Sequence, residues 1–425
     1  MTMPVRNATA FAACIGLGIA LHFFVTLNVG GFPARLALAD LVLPVCLGFA
    51  VLQHEASPLW QRLRSWRHGW FLPFLIACTA WLLASILIGR VYTGRWIGWA
   101  VVQKGLGWFV LMGYLAVGAS FAAGAVDRRL SFARYFIGTA WAIALFSLAI
   151  YLAWLVNPEF TFLDRFDARV EGFFDNPNAF GIAMVALFGM QLVLMRYRLI
   201  SDRLVSRWGL ALLVAVILFS RSRSAWLALL PMLVPLLWLR AIELRTLIGG
   251  VARGAILVGA IYGAAVAVGW LGQYDIASSA PSSVSMSAHL ISAPITDSGV
   301  NHRIQIMKTA MELWREAPIF GIGLGSFYAH ELARGGNSVI HTSALWLLTE
   351  TGVVGLILFG ILFYICVVTL WRETRNADPW AATALAVVIA LAVSSLGTEI
   401  IYQRYLWLVL GMGMIKPRPS VAGNH

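Results

Sequence analysis

Apolar runs of about 20 residues alternate with short polar loops along most of the chain. A run of that length crosses the hydrocarbon core of a bilayer as a helix. Twelve such runs are readable, near 7–28, 36–53, 71–89, 100–122, 134–156, 178–195, 208–220, 223–239, 249–271, 341–370, 380–397 and 399–415. The seventh and eighth are short and flank Ser220-Arg221-Ser222-Arg223-Ser224, and the last has Arg404 near its start. The pattern predicts an all-α polytopic membrane protein of about twelve transmembrane helices, a single integral membrane domain over 1–425. The first run lacks a small-residue cleavage site after it and reads as a retained helix. No internal repeat stands out, which weighs against transporter folds built from inverted repeats.

Two loops break the alternation. Residues 157–177 (NPEFTFLDRFDARVEGFFDNP) carry five acids and two arginines. Residues 272–340 form a much longer polar excursion. Its early part, SSAPSSVSMSAHLISAPITDSG, is small and polar, as loops are. In its later part Ile304, Met307, Met311 and Trp314 recur at three- and four-residue spacing. That spacing predicts an amphipathic helix over 301–316, lying at the membrane interface. Asp297, Ser298 or Asn301 would cap it and Ala317-Pro318 would end it.

Composition agrees. Of 425 residues, 60% are hydrophobic and 12% charged, and the mean hydropathy is +0.80. A soluble domain could not hide that much apolar surface. The net charge of +12 is mostly an orientation signal. With the N-terminus in the cytoplasm, 18 of the 31 basic residues fall in cytoplasmic segments, including Arg62, Arg64, Arg67, Arg196, Arg240 and Arg372. That choice puts 272–340 outside the cytoplasm and both termini inside. Lys104 lies within a span. There is no basic stripe on a soluble domain, so nucleic acid is a poor partner. Cys14, Cys46, Cys78 and Cys366 all fall in apolar runs and read as packing residues.

Candidate chemistry lies on the outer side. Two guanidiniums and three hydroxyls in Ser220–Ser224 form an anion site at the bilayer edge, since arginine grips phosphate oxygens bidentately and stays charged. The competing reading is a polar turn whose arginines snorkel to membrane lipid headgroups. Arg303 falls in the expected first turn of the loop helix, where free N–H groups and the helix dipole favour anions. Two arginine sites and a helix N-terminus suit a diphosphate. His341 follows a Gly-Gly-Asn-Ser turn and opens an apolar helix, where a neutral imidazole can accept a proton. A packing or capping histidine is the alternative. His302 and His330 share the loop, but their spacing matches no metal-ligand pattern. Gly321-Ile-Gly323-Leu-Gly325 has no preceding strand, so it reads as a tight turn and close helix packing and not as a dinucleotide fingerprint. No Asp-x-Asp loop motif suggests a metal-bound nucleotide sugar.

At these residues the chain resembles the O-antigen ligase and polymerase superfamily. The matching blocks are Arg169–Gly181 (RVEGFFDNPNAFG), Ser220–Ser224, Arg303–Gly325 with Glu316-Ala-Pro-Ile-Phe-Gly-Ile-Gly, and His341 through Glu350-Thr-Gly-Val-Val-Gly. Their order and spacing carry the resemblance, over roughly 169–355. Many members have Asn after the histidine, where this chain has Thr342. The resemblance implies a GT-C-like, metal-independent, inverting glycosyltransferase of a Gram-negative inner membrane with a periplasmic active site. It implies a donor glycan on undecaprenyl diphosphate and a lipid A–core hydroxyl as acceptor, with no cofactor and no nucleotide. His341 maps to the general base, and Arg303 with Arg221 or Arg223 to ligands of the donor diphosphate. Arg169, Asn178 and Glu399 are candidates to line the site. An O-antigen polymerase or a protein O-glycosylating transferase would use the same donor. A lipid-linked anion transporter would want the arginines but not His341.

Overall fold

The computed structural model describes residues 24–29, 32–53, 66–123, 126–156, 169–172, 174, 176–201, 204–271 and 297–416. Among these, helices dominate. They are α1 (Leu38–Gln53), α2 (Phe71–Thr93), α3 (Gly107–Ala123), α4 (Val126–Val156), α5 (Pro177–Arg196), α6 (Leu204–Phe219), α7 (Arg223–Trp238) and α8 (Leu244–Leu271). After the long loop come α9 (Asp297–Glu316), α10 (Ser326–Ala333), α11 (Ser343–Arg375), α12 (Pro379–Ser394) and α13 (Arg404–Met414). A π-helical stretch, Ala100–Leu106, leads into α3. Six helices are long and apolar enough to cross a membrane: Phe71–Thr93, Ala100–Ala123, Leu130–Ala153, Pro177–Arg196, Leu244–Ala264 and Ser343–Arg375. The apolar helices Leu204–Phe219, Arg223–Trp238 and Pro379–Ser394 are shorter. Helices suit this setting because lipid offers no partner for a bare N–H or C=O.

Helices occupy most of the expected runs, although the last, expected over 399–415, is an 11-residue helix, and the first run needs correction. The first expected span, 7–28, lies largely outside the described residues, but 24–28 are not helical. Strand β1 (Phe24–Val29) pairs antiparallel with β2 (Phe32–Ala37), Phe24 opposite Ala37 and Val29 opposite Phe32. The β-branched and aromatic FVTLNV followed by Gly30-Gly31 is a hairpin signal that the apolar run masked. The expectation of an all-α chain is corrected to that extent.

The core centres on α5 and α12. Every α5 residue from Phe180 to Met195 is buried, and so is most of α12. Small residues let neighbours approach: a Cβ on Gly118 would meet the Leu408 carbonyl at 2.0 Å, and one on Gly411 the Leu115 carbonyl at 2.2 Å. This close backbone contact replaces the hydrophobic drive that lipid cannot supply.

The loops sort to two ends. At one end Arg67 bonds Ile415 O at 3.1 Å and Glu373 at 2.8 Å, and pairs with Asp378. Arg196 meets Glu243 at 3.1 Å, Arg134 bonds Leu199 O, and the Asp378 charge acts on Tyr197. These are the loops assigned above to one side by their charge. At the other end lie the Ser220–Ser224 turn, residues 317–343 and residues 394–403, because α5, α7 and α12 each run between the two.

Candidate active site

Helix α9 begins at Asp297, four residues before its expected start. Asn301 therefore lies inside the helix. Arg303 stands in its second turn, away from the free N–H groups, so an anion site on that helix N-terminus is not where this arginine is. The buried face also differs from expectation. Ile306, Ala310 and Leu313 are buried, Met311 and Trp314 are partly so, and Ile304 and Met307 are exposed. The apolar arc is wide enough to serve two surfaces, one on the protein and one turned out. Ala310 O accepts from the Thr349 hydroxyl at 3.2 Å, docking α9 on α11.

After Pro318 the chain turns through Gly321, Gly323 and Gly325, all with left-handed φ, of 76°, 93° and 80°. Ile322 N–H bonds Thr349 O, Gly323 N–H bonds Glu350 O, and Leu324 N–H bonds Ser85 O, at 2.8–3.0 Å. The Thr349 and Glu350 carbonyls are available because α11 is broken at Gly352, whose φ and ψ of 68° and −174° are not helical. The glycines are thus the tight turn and close packing expected of them. The turn plugs the break and divides α11 into an inner half from Ser343 and an outer membrane-crossing half.

His341 stands just before that inner half and keeps an exposed face. The next two residues are tethered. The Thr342 hydroxyl bonds Leu396 O at 3.3 Å, and Ser343 N–H bonds Ser395 O at 3.1 Å. The Ser343 hydroxyl accepts from Ile400 N–H at 3.0 Å and donates to Thr398 O at 3.3 Å. Surrounding protein lowers the His341 pKa below its ordinary 6.5, and the Arg303 charge adds to this. Glu399 opposes the shift and His302 reinforces it. Burial, Arg303 and His302 together outweigh Glu399 and hold the imidazole neutral near pH 7. His302 itself meets the Ser338 hydroxyl at 3.1 Å. Among the described residues, no three of His, Cys, Asp and Glu converge as a metal-ligand set.

The arginine turn is built separately. Ser222 caps α7, accepting from Ala225 N–H at 3.3 Å, and its hydroxyl lies 3.1 Å from that of Ser224. Arg221 takes a left-handed φ of 49° and points inward, where its side chain meets Tyr151 and its Nε is buried without a partner. Arg223 is exposed. Arg169 holds the turn from behind, through Nε to Ser220 O at 3.0 Å and a terminal nitrogen to Arg221 O at 3.4 Å. The same nitrogen bonds Asn178 Oδ1 at 3.0 Å, and Asn176 caps α5. Arg169 and Asn178 therefore brace the turn. The Arg303 charge acts on His341, and Arg221 and Arg223 lie at the same end without a direct bond to either.

Sequence reasoning missed the polar cluster behind His341. Lys104 is buried and pairs with Glu399, and the ring N–H of Trp346 bonds Glu350 at 2.8 Å. A lysine inside an apolar run was the available signal for it. Residues 208–360, from α6 through the arginine turn and His341 to the outer half of α11, match the O-antigen ligase family. No curated protein and no solved structure matches the chain.

Proposed function

We propose that this chain, whose residues 208–360 match the O-antigen ligase family, joins a lipid-diphosphate-linked glycan to lipid A–core at the periplasmic face of the inner membrane. The observation that carries the reading is His341, exposed at the head of the inner half-helix, held neutral, and under the field of Arg303. A neutral histidine beside an exposed cation is what an acceptor hydroxyl and an anionic leaving group require.

In this reading the acceptor hydroxyl approaches the anomeric carbon opposite the diphosphate. Its oxygen forms the new C–O bond as the bond from that carbon to the phosphate oxygen breaks. His341 takes the hydroxyl proton, and the electron pair leaves with undecaprenyl diphosphate. Attack from the opposite side inverts the anomeric centre. Arg303 supports the charge that gathers on the leaving group. Arg223 is the more accessible arginine of the turn and engages the diphosphate or its neighbouring headgroups, while Arg221 shapes the turn from inside. Arginine charge does here the work a metal ion does in other transferases. The lipid diphosphate is already activated, so no nucleotide is required.

The test is transfer in a purified system of protein, undecaprenyl-diphosphate-linked glycan and lipid A–core, with chelator and without nucleotide. Wild type should yield ladder-bearing lipopolysaccharide. His341→Ala should lose about 10²–10⁴ in rate, and Arg303→Ala should also be impaired. A longer lipid-linked glycan with no core attached would assign the chain to the polymerase reaction instead. Full activity in His341→Ala would remove the base from the scheme.

A further inference from the structure

Behind His341 lies a buried cation that the transfer scheme does not use. Lys104 sits in the π-helical stretch, 4% exposed. Its ammonium faces the rings of Trp99, Trp346 and Tyr402, 5.0, 4.5 and 4.1 Å from their centroids. The Tyr402 hydroxyl donates to the Lys104 carbonyl at 2.9 Å. An ammonium taken out of water needs a carboxylate, and Glu399 supplies it. Aromatic faces on three sides leave the ammonium little freedom, so Glu399 is fixed as well.

The chain on either side of Glu399 is fixed to the His341 segment. Thr398 O and Ile400 N–H both bond the Ser343 hydroxyl, and Ser395 and Leu396 hold Ser343 and Thr342 through their carbonyls. The tethers therefore set the separation between Glu399 and His341. Charges reach His341 from two elements: Arg303 and His302 on α9, and Glu399 on the opposite loop. Behind Glu399 stand Lys104 and, from α11, Glu350.

We propose that Glu399, clamped by Lys104, is a positioning residue for His341 and balances the positive charge that the imidazole gains when it takes the acceptor proton. This rests on His341 being the base. Without Glu399, the charges acting on an imidazolium at 341 would be those of Arg303 and His302, both unfavourable. Lys104 has a second effect. By sharing the Glu399 charge it tempers the pull on His341, so the imidazole is not locked in its protonated form before substrate arrives. The order of action is Lys104 on Glu399, then Glu399 on His341.

The experiment follows His341 directly. The full chain in lipid nanodiscs is treated with diethyl pyrocarbonate across pH, and modification of the peptide bearing His341 is read by mass spectrometry. Only the neutral imidazole reacts, so the midpoint reports its protonation whatever the enzyme does. In Glu399→Gln the midpoint should fall by about half a unit to one unit, as expected for a lost opposite charge. Transfer at neutral pH should fall about tenfold or more, as for a weakened general base, and Glu399→Asp should restore most of both. Glu399→Gln leaves Lys104 buried and unpaired, so the double variant Lys104→Met/Glu399→Gln is the folding control. It removes both charges and should show a lowered midpoint too. A midpoint unmoved in both variants, with wild type active in transfer, would overturn the positioning role alone. A lowered midpoint with wild type inert in transfer would overturn the transferase reading and the proton-transfer role with it.

Discussion

Gly323 and Gly89 touch backbone to backbone: a Cβ on Gly323 would lie 1.9 Å from Gly89 N. This contact seats the glycine turn on α2 while its N–H groups hold the broken α11. Neither glycine can give way, because both sides of the contact are main chain. Gly323→Ala should therefore cost several kcal/mol, from the left-handed φ of 93° and from the clash together. Gly335 is the control. Its φ of 77° is equally left-handed, yet nothing lies within 4 Å of its missing Cβ. Gly335→Ala should cost only about 1–2 kcal/mol. Thermal unfolding in detergent should rank the two variants in that order, and equal losses would mean that the close approach is unimportant.

Arg169 braces the arginine turn from behind. Three of its bonds end on Ser220 O, Arg221 O and Asn178 Oδ1. A lysine has no planar fork to reach three acceptors. Arg169→Lys should loosen the turn and raise the KM for the lipid-linked donor about tenfold or more, since a bond from a charged group is worth about 1.5–3 kcal/mol. The pH dependence of turnover should stay as in wild type. A changed pH profile with unchanged donor KM would place Arg169 in the proton-transfer machinery instead.

Much of this was legible in the sequence. Long apolar runs fixed where the helices fall, because the bilayer demands one length and one hydrogen-bonding solution. The loops holding Arg67, Glu373 and Asp378 lie at one end of the bundle, where Arg67 pairs with both acids. The Gly321–Gly325 turn followed from local pattern; the position of Arg303 in its helix did not, since the helix starts at Asp297. What did not follow depends on pairing across the chain. Lys104 and Glu399 are separated by 295 positions, and neither looks paired from its neighbours. The break in α11 hides in an apolar run, because Gly352 becomes non-helical only where the 317–324 segment binds the exposed carbonyls. Helix α9 extends back to Asp297 through residues of low helix propensity, which local preference alone does not predict.

The opposite end of the bundle offers a separation of stability from activity. Arg67 is buried, and its guanidinium serves Glu373, Asp378 and Ile415 O together. Removing it takes the shared buried cation from two largely covered carboxylates, leaving Glu373 with Arg372 at 3.3 Å and Asp378 with its helix-cap bonds. Arg67→Ala should cost about 3–5 kcal/mol. Whatever protein remains folded should transfer at the wild-type rate, because no part of the site touches this network. A lowered turnover per folded molecule, measured by active-site titration against folded fraction, would show that the two ends are coupled.

The pH dependence of transfer tests the balance around His341. Its pKa is depressed by surrounding protein and by Arg303, so the imidazole stays neutral down to a pH below 6.5. If His341 must be unprotonated to work, kcat/KM falls as the pH drops through that lowered value and is flat above it. Neutralising Arg303 removes one of the causes of the depression. In Arg303→Gln the His341 pKa therefore moves up toward 6.5, and the acid limb of kcat/KM moves to higher pH with it. If Arg303 supports the leaving diphosphate as proposed, the plateau should also fall, by about 10²–10³. The two effects are separable: the plateau reports charge stabilisation and the limb reports the base. A lower plateau with an unmoved limb would leave Arg303 as a diphosphate ligand but take its field off His341. The same logic reaches stability. A histidine with a depressed folded pKa binds fewer protons folded than unfolded, so wild type should lose stability as pH falls from about 6.5 through the folded value. Arg303→Gln should narrow that window from its acid side.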